Sequence, residues 1–77
     1  MQNPFELLIT YADYRGGFVA EVWLDNRHIA EVYEDAQGGK RVELYYLQQR
    51  SLSLPLEALQ ETLQKAHVAL WPATKAE

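Results

Sequence analysis

"FVAEVWLDNRHIAEVYED", Phe18 to Asp35, writes one pattern twice: "FVAEVW" (18–23) and, ten residues on, "HIAEVY" (28–33). Ten is even, and side chains alternate between faces along a strand, so both copies present their residues with the same parity. "DNR" (25–27) lies between them and suits a tight turn, because Asp and Asn tolerate left-handed backbone. The stretch therefore predicts a hairpin. A three-residue turn pairs Leu24 with His28, Val22 with Ala30 and Ala20 with Val32, which sets large against small on one face. On the other face it pairs Trp23 with Ile29 and Val19 with Tyr33. A two-residue turn sets Trp23 against His28 and Ala20 against Glu31. That match is poorer, so the three-residue turn is preferred.

The hairpin extends on both sides. "FELLITY" (5–11) alternates with Phe5, Leu7, Ile9 and Tyr11 on one side, the period of a strand. "ADYRGG" (12–17) is a glycine-bearing loop. "DAQGG" (35–39) is a turn, and "KRVELYYL" (40–47) is a fourth strand. Short connections imply antiparallel neighbours and a meander. "QQRSLSL" (48–54) shows no clear period and reads as a connector. From Pro55 the period becomes helical: Leu56, Leu59, Leu63, Ala66 and Leu70 form one stripe. Pro55 suits a first helical turn, and Pro72 stops the helix. The predicted fold is α+β: a four-stranded antiparallel meander, then a C-terminal amphipathic helix across one face. That face carries Leu7, Ile9, Ala20, Val22, Ala30, Val32, Val42 and Leu44.

The chain has 77 residues and no cysteine. It makes a single domain (1–77) with a modest core, no disulfide and no Cys-based zinc site. Residues 1–4 and 72–77 are expected to fray. The N-terminal stretch has no basic n-region and no long apolar run, so the expected location is cytoplasmic, with no membrane partner. The net charge of −4 disfavours nucleic acid, whose phosphates repel an acidic surface.

The other face of the sheet carries the functional question. Pairing Glu34 with Lys40 brings Tyr33 to Arg41 and Glu31 to Glu43. Glu21, Glu31 and Glu43 then form a row across three strands, and like charges facing each other destabilise. The helix already covers the opposite side, so this face is expected to stay open. Its interface candidates are Val19, Glu21, Trp23, Ile29, Glu31, Tyr33, Arg41, Glu43 and Tyr45, a set rich in the side chains favoured at binding hot spots. Three uses compete: plain solvation, contact with a protein or a second copy, and a cation site. Glutamates on a flat sheet do not wrap an ion, which disfavours the last.

Catalytic patterns are sparse. No Cys nucleophile exists, Ser51 and Ser53 lack a glycine elbow, and His28 and His67 show no metal-ligand spacing. His67 is expected to pack half-buried or to sit as a charge at the helix C-terminus. Asp13, Asp25 and Asp35 fall in turns. No catalytic, cofactor-binding or metal residue is assigned, and an enzyme is the weakest of the broad classes.

The plan of four antiparallel strands followed by one helix resembles that of the single-stranded-DNA-binding transcriptional coactivators and their Whirly-like relatives. "SLSLPLEALQETL" (51–63) is similar in style to their strand-to-helix passage. The resemblance implies a single-stranded nucleic-acid-binding module that uses Arg15, Arg27, Lys40, Arg41 and Arg50. Here Glu6, Glu21, Glu31 and Glu43 occupy the strands, where such families place basic groups. The leading expectation is a small interaction or regulatory module that presents its open face to a protein partner or to itself. An acidic inhibitor of a basic nuclease or toxin fits the same surface.

Overall fold

The computed structural model describes residues 3–45 and 51–73. The elements follow the expected order: β1 (Phe5–Ala12), β2 (Gly17–Leu24), β3 (Arg27–Glu34), β4 (Lys40–Leu44) and α1 (Leu56–Leu70). The sheet is antiparallel throughout, in the order β1-β2-β3-β4. The expected extension of the fourth strand to residue 47 and the first part of the connector, 48–50, lie outside the described residues. So do residues 1–2 and 74–77 of the expected frayed ends. Asn3 is not frayed. Its Nδ2 donates to the Ala58 carbonyl at 3.1 Å and to Thr62 Oγ1 at 3.0 Å, while its Oδ1 accepts the Phe5 N–H at 2.8 Å.

The central hairpin combines the two registers that sequence sets against each other. The turn has two residues, Asp25 and Asn26, with φ of 51° and 63°, the positive values a type I′ turn requires. It pairs Leu24 with Arg27 and Trp23 with His28. A bulge then intervenes, and beyond it Val22 faces Ala30, Glu21 faces Glu31 and Ala20 faces Val32. The tight turn wins locally because Asp-Asn adopts it readily. The bulge restores the large-against-small pairing further in. Ile29 is the inserted residue. It is buried in the cluster of Phe5, Val22 and Ala30 beneath the helix, so it does not stand on the outer face opposite Trp23. The second hairpin keeps the expected register, from Glu34 with Lys40 to Ala30 with Leu44.

The core lies between α1 and the first three strands. Phe5, Val22, Ile29 and Ala30 meet Leu54, Ala58 and Leu59 at one end, and Ala20 and Val32 meet Leu63, Ala66 and Leu70 at the other. The buried helix stripe is rotated from the expected one: Thr62 and Ala66 are its most buried members, while Leu56 is exposed. Pro55 sits just before the helix, and its carbonyl accepts the first turn's bond from the Leu59 N–H at 3.0 Å. His67 is exposed in the last turn, where a charge favours the negative end of the helix dipole.

The expectation that the helix would cover β4 fails. Val42 and Leu44 are 47% and 73% exposed, and α1 contacts β1, β2 and β3 only. The reason is width. A helix with its side chains is about 10–12 Å across, whereas strands spaced about 4.8 Å apart make a four-stranded sheet wider than that.

Candidate functional site

On the outer face the side chains of β2, β3 and β4 alternate outward as the register requires. The row Glu21–Glu31–Glu43 forms as expected. What the sequence reading left out is the β1–β2 loop. Residues 13–16 turn back over the sheet, closed by bonds from the Arg15 and Gly16 N–H groups to the Ala12 carbonyl. Gly16 has φ of +75°, which a residue with a side chain resists. The loop lays Tyr14 and Arg15 onto Glu31.

Glu31 is wholly buried. The Tyr14 hydroxyl donates to both of its carboxylate oxygens, at 2.5 and 2.6 Å, and the Tyr45 hydroxyl donates to Oε1. Arg15 Nε lies 3.5 Å from Oε2, and the guanidinium reaches on to hydrogen-bond Glu43. The Arg15 guanidinium also stacks on Tyr33, 3.5 Å from the ring centre, with the Tyr14 ring 5.1 Å away. Thus the expected frustration of the carboxylate row is removed. Arginine from the loop neutralises it, and Glu31 becomes the acceptor that pins the loop down.

The titration of these groups follows from the contacts. Burial alone would raise the Glu31 pKa, but the bonds from Tyr14 and Tyr45 and the charge of Arg15 outweigh it, leaving Glu31 below the usual carboxylate range. Burial, then the bond to Glu31, pushes the Tyr45 hydroxyl up. The bond to Glu31, then burial, raises Tyr14. An ionised carboxylate that is fully hydrogen-bonded is a weak base, and these tyrosines are reluctant acids. The arrangement holds a conformation rather than moving a proton.

The candidate residues divide accordingly. Val19, Ile29 and Glu31 are buried and offer no contact surface to a partner while Tyr14 and Arg15 lie over the sheet. Glu21, Trp23, Tyr33 and Tyr45 are half-buried, and Arg41 and Glu43 are exposed. Trp23 Nε1–H donates to Glu21 at 3.0 Å. The bulge brings His28 onto this face. It stacks on Trp23, with ring centres 5.1 Å apart and planes 10° apart, and meets Tyr45 edge-on at 4.8 Å. Its Nε2 is buried without a hydrogen-bond partner among the described residues. Tyr14, Arg15 and His28 are the members missing from the sequence-derived set. The sequence held one signal for the arginine: a glutamate placed between two others calls for a cation, and the adjoining loop carries Arg15.

Among the described residues, no group of three or more His, Asp or Glu is arranged to hold a metal ion, and no helix is long and apolar enough to cross a membrane. Comparison with protein families, with curated proteins and with solved structures found no match to this chain.

Proposed function

We propose that the protein is a small interaction module whose outer sheet face docks a basic protein partner. The carrying observation is the rigid setting of this face. Trp23, His28, Tyr33 and Tyr45 are fixed by stacking and hydrogen bonds around a buried, ionised Glu31. Such fixing holds the fold of the isolated chain. A binding face gains, because less side-chain freedom is lost on association. Aromatic anchors with carboxylates at their rim suit a partner carrying positive charge. An inhibitor of a basic nuclease or toxin is one member of that class.

A symmetric dimer through the same face is less favourable, since Glu21 and Glu43 would meet their own copies while Arg15 is already engaged. The single-stranded nucleic-acid reading loses Arg15 for the same reason. Sedimentation over a wide concentration range tests the second copy directly. Trp23→Ala should keep the fold and weaken association with the partner by about 30-fold, the value of a hot-spot residue of about 2 kcal/mol. A monomer that takes no partner through Trp23 would return the face to plain solvation.

A further inference from the structure

Arg15 comes to the outer face from a loop tip, not from the sheet. The glycines that follow it, Gly16 and Gly17, have open space where a side chain would stand. Among the described residues, no atom lies within 4 Å of where a Cβ would stand on either glycine, so this side of the loop is open. The loop is held by the Tyr14 bonds to Glu31 and by the seat of Arg15: the Tyr33 ring beneath the guanidinium, with Glu31 and Glu43 beside it. Stacking on a ring with carboxylates in the guanidinium plane is the manner in which proteins take arginine from other proteins. The seat is also imperfectly filled: among the described residues the buried Arg15 Nε has no hydrogen-bond partner and only faces Glu31 Oε2 at 3.5 Å, an arrangement that costs free energy. A second, independent feature adjoins it. A cleft of about 490 Å³ runs from Arg15 and Tyr33 past Glu34 and Asp35 to an apolar wall of Phe18 and Trp71. It offers room for residues flanking an incoming side chain, with negative charge along its path.

We propose that the Arg15 seat is an exchangeable guanidinium site, in which an arginine presented by a basic protein partner displaces Arg15 and lies between Tyr33, Glu31 and Glu43. This names the chemistry of the partner and rests on the interface reading above. Arg15 acts as an internal competitor that keeps the seat closed until the partner arrives. The loop's opening then lowers the apparent affinity by the fraction of time the seat is free.

The test titrates the full chain and its Arg15→Ala variant with a capped peptide holding one arginine between glycines, with its lysine counterpart, and with arginine amide, followed by amide NMR. Arg15→Ala should bind the arginine peptide at least about tenfold more tightly than the wild type, because the competitor is gone. The shifts should centre on Glu31, Tyr33 and Glu43. The lysine peptide should bind at least about tenfold more weakly, since an ammonium does not stack as a planar guanidinium does. If Arg15→Ala is unfolded alone, the arginine peptide should refold it. No saturable shift in a folded variant, no rescue of an unfolded one, or equal binding of lysine overturns the proposal. Tighter binding of arginine amide than of the peptide overturns the protein partner in favour of a small molecule. Trp23 is not one of the groups that hold Arg15, so its association assay is read separately. Loss of peptide binding with Trp23-dependent association intact removes the exchange and leaves the interface.

Discussion

Among the described residues the largest fully buried side chain is a glutamate, Glu31, while Leu44, paired one residue away on the neighbouring strand, is 73% exposed. The two lie on opposite faces of the sheet. Under the helix, burial follows reach: α1 covers the inner faces of β1, β2 and β3, and the leucine on β4 stays outside. On the outer face a short loop does the covering, and it carries the partners a carboxylate needs. Burial is therefore decided by what lies above a residue. Polarity decides only how the buried group must be satisfied.

The comparison breaks most sharply at Glu31. Glu31→Ala should cost about 3–5 kcal/mol, because it leaves the Tyr14 and Tyr45 hydroxyls and the Arg15 charge without their acceptor. Denaturant melts measure this, and a loss under about 1 kcal/mol would show that the loop does not depend on the carboxylate. Acid should have the same target. Folded Glu31 titrates below its unfolded value of about 4.3. Its stabilisation is thus complete above that pH and disappears as the pH falls through the lower, folded value. The stability difference between wild type and Glu31→Gln should shrink over that acid range. On the inner face Leu63→Ala should cost about 2–3 kcal/mol, the low end for leucine truncation, since Leu63 is only partly buried. Tyr14→Phe removes the hydroxyl shared between the two Glu31 oxygens from an exposed ring and should cost about 1 kcal/mol, with faster amide exchange in residues 13–16. Leu44→Ala should change the stability of the isolated chain by less than about 0.5 kcal/mol. A larger loss would mean that something covers β4.

Much of the inner face was legible in the sequence. Period-two alternation, the short turns and the change of period at Pro55 fix the strand order, both hairpin registers beyond the bulge and the side the helix takes. The limits are geometric. No pattern in "KRVELYYL" reveals that one helix is too narrow to reach Val42 and Leu44. The outer face was legible in composition but not in contact. The glutamate row followed from the register, yet its neutralisation depends on a loop conformation, and loops carry no period. Arg15 was visible as a loop arginine, and the charge imbalance at Glu31 asked for it. Tyr14 left no comparable signal. The bulge is hidden for a different reason: each register is supported by its own part of the hairpin, and alternation alone does not show that one extra residue lets both occur.

The bulge has a bearing on chain length. Because Ile29 is the extra residue between the Trp23–His28 and Val22–Ala30 pairs, its removal would turn the irregular ladder into a regular one. Every later pair on β3, including Glu21–Glu31, would keep its partner and its face. Removal of His28 or Ala30 is absorbed in the same way, with Ile29 taking the vacated place in the ladder, whereas a deletion further along β3 turns the side chains beyond it to the other face. The bulge is thus where the central hairpin can shorten by one residue and keep its later pairs.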